Sequence, residues 1–268
     1  MNIAILSIDM DGTCLDSRHR ISDKTMNSLL KAKEAGIEIV PTTGRALSCL
    51  PLGLRNRDLY RYVISSNGAV INDIKENKVI YSKPIDKLIA KEVIGRCQGP
   101  NVGTSIHIEN EYILQGKALK TLGKLVYGKD AAESVSVRNI NSYIDNKGGN
   151  IEELQFYFFL DKSRTKVENI LSEYDDLLKA YDNNYVEVYD INASKGNALK
   201  YLYEKQGYLK EEVACIGDGE NDISNFKVSG NSFMMGNGDE CLKAYATYCV
   251  ADNDHDGVSE AIDFLLNS

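Results

Sequence analysis

Asp9 and Asp11 stand two residues apart just after the apolar run Ile3-Ala4-Ile5-Leu6, and Gly12 and Thr13 follow them. An aspartate carboxylate can attack phosphorus and carry the phosphoryl group as an aspartyl-phosphate. A second carboxyl nearby can then serve as general acid and base. Both roles suit the carboxyl end of a buried strand, where open α/β sheets hold their ligands. Asp-Gly is also a common turn pair. On this stretch alone Asp9 and Asp11 read equally well as turn and cap residues.

A second acidic loop lies far along the chain. Gly217-Asp218-Gly219-Glu220-Asn221-Asp222 follows the apolar run at 213–216. If the sheet sets the two loops side by side, Asp9, Asp218 and Asp222 form an oxygen-rich cluster. Their mutual repulsion then requires a hard divalent cation, and Mg2+ suits carboxylates, water and a phosphate oxygen. Helix capping accounts for one such acid, but not for a second acidic loop after an equivalent strand. Lys195 falls in the first turn of an expected helix, where a cation opposes the helix dipole, and its neighbour Gly196 is a poor helix former. A phosphate-facing role gives this lysine a physical motive; a solvated surface lysine is the plain alternative. Three carboxylates and a phosphate dianion outweigh Mg2+ and Lys195, which gives Arg45 a reason to contribute. Thr43 and the backbone N–H groups near Gly12 and Gly44 suit phosphate oxygens. From spacing, Thr42 is as good a ligand as Thr43.

These residues need a scaffold that brings distant strand ends together. Ser22 reads as the N-cap of a helix striped by Met26, Leu29 and Leu30 and stopped by Gly36. A strand at 37–40 ends in Pro41-Thr42-Thr43-Gly44-Arg45, and a helical stretch is expected after it. A third strand at 62–65 ends in Ser66-Asn67-Gly68. This alternation predicts a parallel, doubly wound α/β sheet. The pattern changes after residue 69: a hairpin turns at 75–78, and Lys83-Pro84 reads as a hinge. Beyond it, a helix from Ile85, strands at 102–108, 111–114 and 153–160, helices at 117–127 and 164–174, and a hairpin at 182–184 do not alternate as βα units. They predict an α+β insert over 84–188. The doubly wound pattern resumes at Ser194. The domains expected are therefore a core of 1–83 and 189–268 and an inserted domain of 84–188.

Composition narrows the class. The chain of 268 residues is 43% hydrophobic and 26% charged, as in globular proteins, and its net charge of −8 argues against general nucleic-acid binding. No apolar run is long enough to span a membrane, and the N-terminus has no secretory pattern. None of the six cysteines stands in a CxxC pair, and scattered thiols suit a reducing cytoplasm. Asp252-Asn253-Asp254-His255-Asp256-Gly257 imitates the start of a calcium loop, with Asp263 at the twelfth position. A strand-like run precedes it where that motif needs a helix, so no calcium site is expected and His255 is read as exposed. His19 and His107 are assigned no role.

Taken together, the motifs resemble the haloacid dehalogenase superfamily. Asp9-Met10-Asp11-Gly12-Thr13 matches its DxDGT motif, and Thr43 in Thr-Thr-Gly-Arg its second. Lys195 in Ser-Lys-Gly-Asn-Ala-Leu matches the third, and the loop from Gly217 to Asp222 the fourth, GDxxND. Their order and spacing are similar to the Cof-type branch, which carries a large cap between motifs two and three. The resemblance implies a strand bearing Asp9 set between those ending at Thr43 and Asp218. It implies Asp9 as nucleophile and Asp11 as general acid and then base. It implies Mg2+ held by Asp9, the Asp11 carbonyl and Asp218, with Asp222 close by. Phosphate would be contacted by Lys195, Asn221 and Arg45. Two positions depart from the pattern: Asn225-Phe226, where relatives usually carry Met-Leu, and Cys14, where they carry an aliphatic residue.

The expectation is thus a cytoplasmic, Mg2+-dependent phosphatase, monomeric or homodimeric. Its substrate would be a small phosphate ester, with sugar phosphate the class the resemblance implies. A cap closing over the site would exclude water and bulky substrates. His107, Glu109 and Tyr112 are either cap-surface contacts or ordinary hairpin residues. The rivals are a phosphotransferase or mutase using the same intermediate, and a non-catalytic sensor of phosphorylated metabolites.

Overall fold

The computed structural model describes residues 2–55, 58–121 and 133–268. Contacts divide the chain into two compact units. Met1–Gly44, Gly53–Tyr81 and Ser194–Ser268 form the first, and Arg45–Leu52 with Ser82–Ala193 the second. The sequence places 45–52 with the core and the joins at 83/84 and 188/189, whereas contacts place 45–52 with the second unit and the outer joins at 81/82 and 193/194. The sequence also predicts a helix after Arg45. Among the described residues the structure has only one 3-10 turn there, Leu47–Cys49. Pro51 and Gly53, which helices exclude or tolerate poorly, follow too closely for a longer one. Cys49 joins Ala46, Tyr112, Leu114 and Leu119 in a small core of the second unit.

In chain order the strands are β1 (Ile5–Asp9), β2 (Glu38–Thr42), β3 (Tyr62–Ser65), β4 (Val70–Asp73), β5 (Lys78–Ser82), β6 (Val102–Ile108), β7 (Glu111–Gln115), β8 (Val135–Val137), β9 (Ile151–Phe158), β10 (Leu177–Tyr181), β11 (Tyr185–Asp190), β12 (Val213–Gly217), β13 (Asn231–Met234) and β14 (Tyr248–Cys249). The first unit is an α/β domain on an eight-stranded sheet of order β14-β13-β12-β1-β2-β3-β4-β5. The strands from β14 to β3 are parallel, and β4 turns back antiparallel on β3. This is the doubly wound, Rossmann-like core that the sequence predicts, and β1 lies between β12 and β2.

The sheet register decides which elements meet Asp9. Ile5, Ser7 and Asp9 pair with Glu38, Val40 and Thr42, so they share one face of the sheet. Ile5, Val40 and Ile64 pack with Leu199 and Leu202 of the helix Lys195–Gln206. That helix therefore lies on the Asp9 side. Its Gly196 permits a close approach, because a Cβ there would stand 2.2 Å from the Ser224 backbone oxygen. β2 runs past its expected end at Val40 to include Pro41 and Thr42. Proline cannot donate to a ladder, and the pairing with β3 is correspondingly sparse: Thr42↔Ile64, with Ile39↔Tyr60 as an isolated bridge.

The second unit is α+β, on a six-stranded sheet of order β10-β11-β9-β6-β7-β8. Its core sets Ile106, Leu154, Phe156 and Val186 of the sheet against Val93 and Ile94 of the helix Lys87–Cys97 and Val167 and Leu171 of the helix Asp161–Leu171. Sequence periodicity missed β8 and the helix Ile140–Lys147, which buries only Ile140 and Ile144; two apolar positions are too few to mark a period. The helix expected at 117–127 is helical over 117–121, and its remainder lies outside the described residues.

Asn225, one of the two departures noted above, is buried in the first unit, and neither its Oδ1 nor its Nδ2 has a hydrogen-bond partner. A buried unsatisfied amide costs about 1–3 kcal/mol. Asn225→Met is therefore expected to raise the melting temperature by roughly 2–8 °C, read by calorimetry. An unchanged or lower value would mean that the amide is satisfied in solution.

Candidate active site

The site begins with a turn. Asp11 (φ −78°, ψ 123°) and Gly12 (φ 78°, ψ −7°) have the dihedrals of a type II turn. Its third position needs positive φ and thus favours glycine. Side-chain space at Gly12 is also closed, since a Cβ would lie 2.2 Å from Asp218 Oδ2. Thr13 Oγ1 donates to Asp218 Oδ1 at 2.6 Å. The turn after β1 is thereby tied to the loop after β12.

That loop is closed by Asp222. Its Oδ2 accepts from the N–H groups of Asp218 and Gly219 at 3.1 and 3.2 Å. Gly217 must be glycine, because a Cβ would stand 2.4 Å from the Asp222 carboxyl carbon. Lys195 enters from the helix that Ser194 caps through the Asn197 N–H. It is 1% exposed, and its Nζ donates to Asp9 Oδ1 at 2.5 Å and to Asp222 Oδ1 at 2.8 Å. These two carboxylates are what hold a lysine in a helix first turn against the dipole.

Electrostatics follow from burial. Desolvation pushes the Asp9 carboxyl well above its usual range; Lys195 opposes this, while Asp222 and Asp218 add to it. Desolvation also pushes Asp218 up to about 6, against the Thr13 hydrogen bond and with help from Asp222. For Lys195, burial opposes the charge, but Asp222 and Asp9 outweigh it and raise its proton affinity. One oxygen from each of Asp9, Asp218 and Asp222 lies within 4.8 Å of the others. Three close carboxylates facing one ammonium form a hard-oxygen donor set suited to a metal ion.

The β2 end distinguishes the two threonines. Thr42 Oγ1 is engaged inside the sheet, 2.7 Å from Ser7 Oγ. Thr43 stands one residue beyond the strand; its N–H donates to Ile64 O and its carbonyl accepts from Asn67 N. Sequence reasoning missed Asn67. Its Oδ1 accepts from Asn221 Nδ2 at 2.9 Å, and a Cβ on Gly44 would lie 2.9 Å from its Nδ2. The signal was the Ser-Asn-Gly after β3, where Ser66, Asn67 and Gly68 all have positive φ. Arg45 belongs to the second unit, where its Nη1 donates to Cys49 O at 3.2 Å.

The lone histidines divide. His19 Nδ1 lies 4.0 Å from Asp11 Oδ1, with both side chains well exposed. His107 is buried in the second unit, 3.2 Å from Glu153, and desolvation lowers it to about 4. Glu109 accepts from Asn150 N and braces a loop. Tyr112 hydroxyl lies 2.7 Å from that of Tyr157.

The fold and this site define a haloacid dehalogenase-like hydrolase. Residues 6–262 match that family, and the chain belongs to it, in its Cof-type branch. Phosphatase YwpJ of Bacillus subtilis is 31% identical, with 98% of this chain and 99% of the relative covered. Phosphoglycolate phosphatase of Methanobrevibacter smithii is 26% identical, with 99% and 100% covered. A solved haloacid dehalogenase-like hydrolase from B. subtilis matches with a TM-score of 0.84 at 26% identity, covering 98% of this chain and 100% of that one. The chain is a phosphoric monoester hydrolase of this family. No helix among the described residues is long and apolar enough to cross a membrane.

Proposed function

We propose that this chain is a Mg2+-dependent, cytoplasmic phosphatase of a small phosphorylated metabolite, with sugar phosphates as its substrate class. The observation that carries the reading is the buried Lys195 ammonium bonded to both Asp9 and Asp222 beside the Asp218 carboxylate. Asp9 is the nucleophile: its oxygen forms the bond to phosphorus as the ester oxygen departs. Asp11, on the exposed turn, gives that oxygen its proton and later takes one from the water that hydrolyses the aspartyl-phosphate. Lys195 fixes the Asp9 carboxylate and balances charge, while Thr43, Gly44 and Asn221 offer donors to phosphate. Asp9, Asp218 and the Asp11 carbonyl would hold Mg2+, which supplies charge stabilisation when bound. Asp222, with its oxygens already engaged, acts by holding the loop and Lys195.

The relative named as a phosphoglycolate phosphatase supports a small ester.

The test is phosphate release from a panel of sugar phosphates, nucleotides, phosphoglycolate and pyridoxal phosphate. EDTA is expected to reduce release at least about 100-fold and added Mg2+ to restore it, as befits charge stabilisation worth several kcal/mol. Undiminished release in EDTA would rule out the metal assignment. A ranking without sugar phosphates near the top would rule out the substrate class.

A further inference from the structure

The acidic run at 252–256 takes no part in the chemistry above, and its carboxylates do not converge as a calcium loop requires. Asp252 Oδ1 accepts from Asp254 N at 3.0 Å and contacts His255 Nδ1 at 2.6 Å. Asp254 Oδ1 accepts from Ser17 N at 2.9 Å, and Asp256 Oδ1 from Ser22 Oγ. Two of the acids thus serve the segment that follows the catalytic turn. The amides reach the turn itself. Asn253 Nδ2 donates to Leu15 O at 2.8 Å, and Asn253 N donates to Asn237 Oδ1 at 3.1 Å. Asn237 Nδ2 donates to Gly12 O at 2.8 Å.

We propose that the loop at 252–256 and Asn237 form a brace for the turn that carries Asp11, with Asn237 and Asn253 as positioning residues for proton transfer. The inference rests on the reading of Asp11 as general acid. Gly12 follows Asp11 in the turn, and its carbonyl lies in the Gly12–Thr13 peptide, so holding that carbonyl fixes the far side of the turn one peptide beyond the acid. Thr13, bonded to Asp218, holds the turn from the other loop. Without Asn237 the Gly12 carbonyl loses this side-chain donor, leaving the loop's hold on the segment to the bonds at Leu15 and Ser17, and misplacement of about 1 Å is enough to cost 10²-fold in rate.

The test compares Asn237→Ala, Asn237→Asp and Asn253→Ala with the wild type. Hydrolysis of p-nitrophenyl phosphate gives kcat and KM, and hydrogen exchange follows the amides of residues 12–17. Asn237→Ala is expected to lower kcat roughly 5- to 50-fold, with KM within about twofold. Asn237 is exposed, so its melting temperature should change by no more than about 2 °C. Asn237→Asp keeps the acceptor for Asn253 N but turns an oxygen toward Gly12 O. It should lose at least as much kcat as the alanine variant, and exchange over 12–17 should accelerate in both. Wild-type kcat in Asn237→Asp, a change in KM alone, or unaltered exchange would overturn the brace. If the wild type does not hydrolyse the ester, the exchange comparison still decides the brace, and the failure belongs to the functional reading.

Discussion

Asp9→Asn is expected to abolish phosphate release while leaving the protein folded. With Asp9 as the proposed nucleophile, its loss within a concerted site costs kcat by about 10⁴- to 10⁶-fold. Asp11→Asn should lose less, about 10²- to 10⁴-fold, the usual contribution of general acid catalysis. Stability should move the other way. Burial holds the folded-state pKa of Asp9 above its unfolded value, so the folded state binds this proton more tightly. That contribution is present at low pH and is lost as pH rises through the folded pKa. Above its folded pKa the ionised Asp9 is thus a net liability, which asparagine removes. In EDTA, Asp9→Asn should unfold at or above the wild-type temperature, and the gap should close as pH falls. Activity above about 1% of wild type in a folded variant would remove Asp9 from its role, and a melting point well below wild type would mean that its bond to Lys195 outweighs burial.

The architecture around Asp9 was legible because short apolar runs ending in glycine-flanked polar residues mark buried parallel strands. Asp9 ends β1 and Asp218 directly follows β12 for that reason, and the order β12-β1-β2 sets their loops together. Lys195 was legible through a local conflict, a cation at the wrong end of a helix. What escaped was non-local or too short. The Asn221–Asn67 hydrogen bond joins residues 154 positions apart, and the Asn67 segment carries only an ordinary turn signature. Asn237 likewise acts across 225 positions. Arg45–Leu52 packs with the second unit through Ala46 and Cys49, a preference that two small residues do not announce. Pro41 argued for ending β2 early, but the other side of the strand still pairs fully with β1.

Lys195→Met should damage both stability and turnover, and the combination distinguishes its role from that of a surface phosphate ligand. The side chain is fully buried, and Nζ bridges two carboxylates that are themselves buried. Methionine fills a similar volume but leaves Asp9 and Asp222 facing each other with no cation between them. Breaking a buried pair by removing one partner costs about 3–5 kcal/mol. A solvated lysine would cost at most about 0.5 kcal/mol. Turnover should fall at least about 10²- to 10³-fold, the penalty for deleting one electrostatic stabiliser of developing charge. A second substitution separates the two effects. In Lys195→Met/Asp9→Asn the repulsion is gone, so most of the lost stability should return while turnover stays absent. Denaturant unfolding in EDTA together with phosphate release gives both readouts. If the double variant is no more stable than Lys195→Met, the lysine is not stabilising the fold through these carboxylates. If the single variant keeps kcat within tenfold of wild type, Lys195 is a structural cation rather than part of the phosphoryl-transfer machinery.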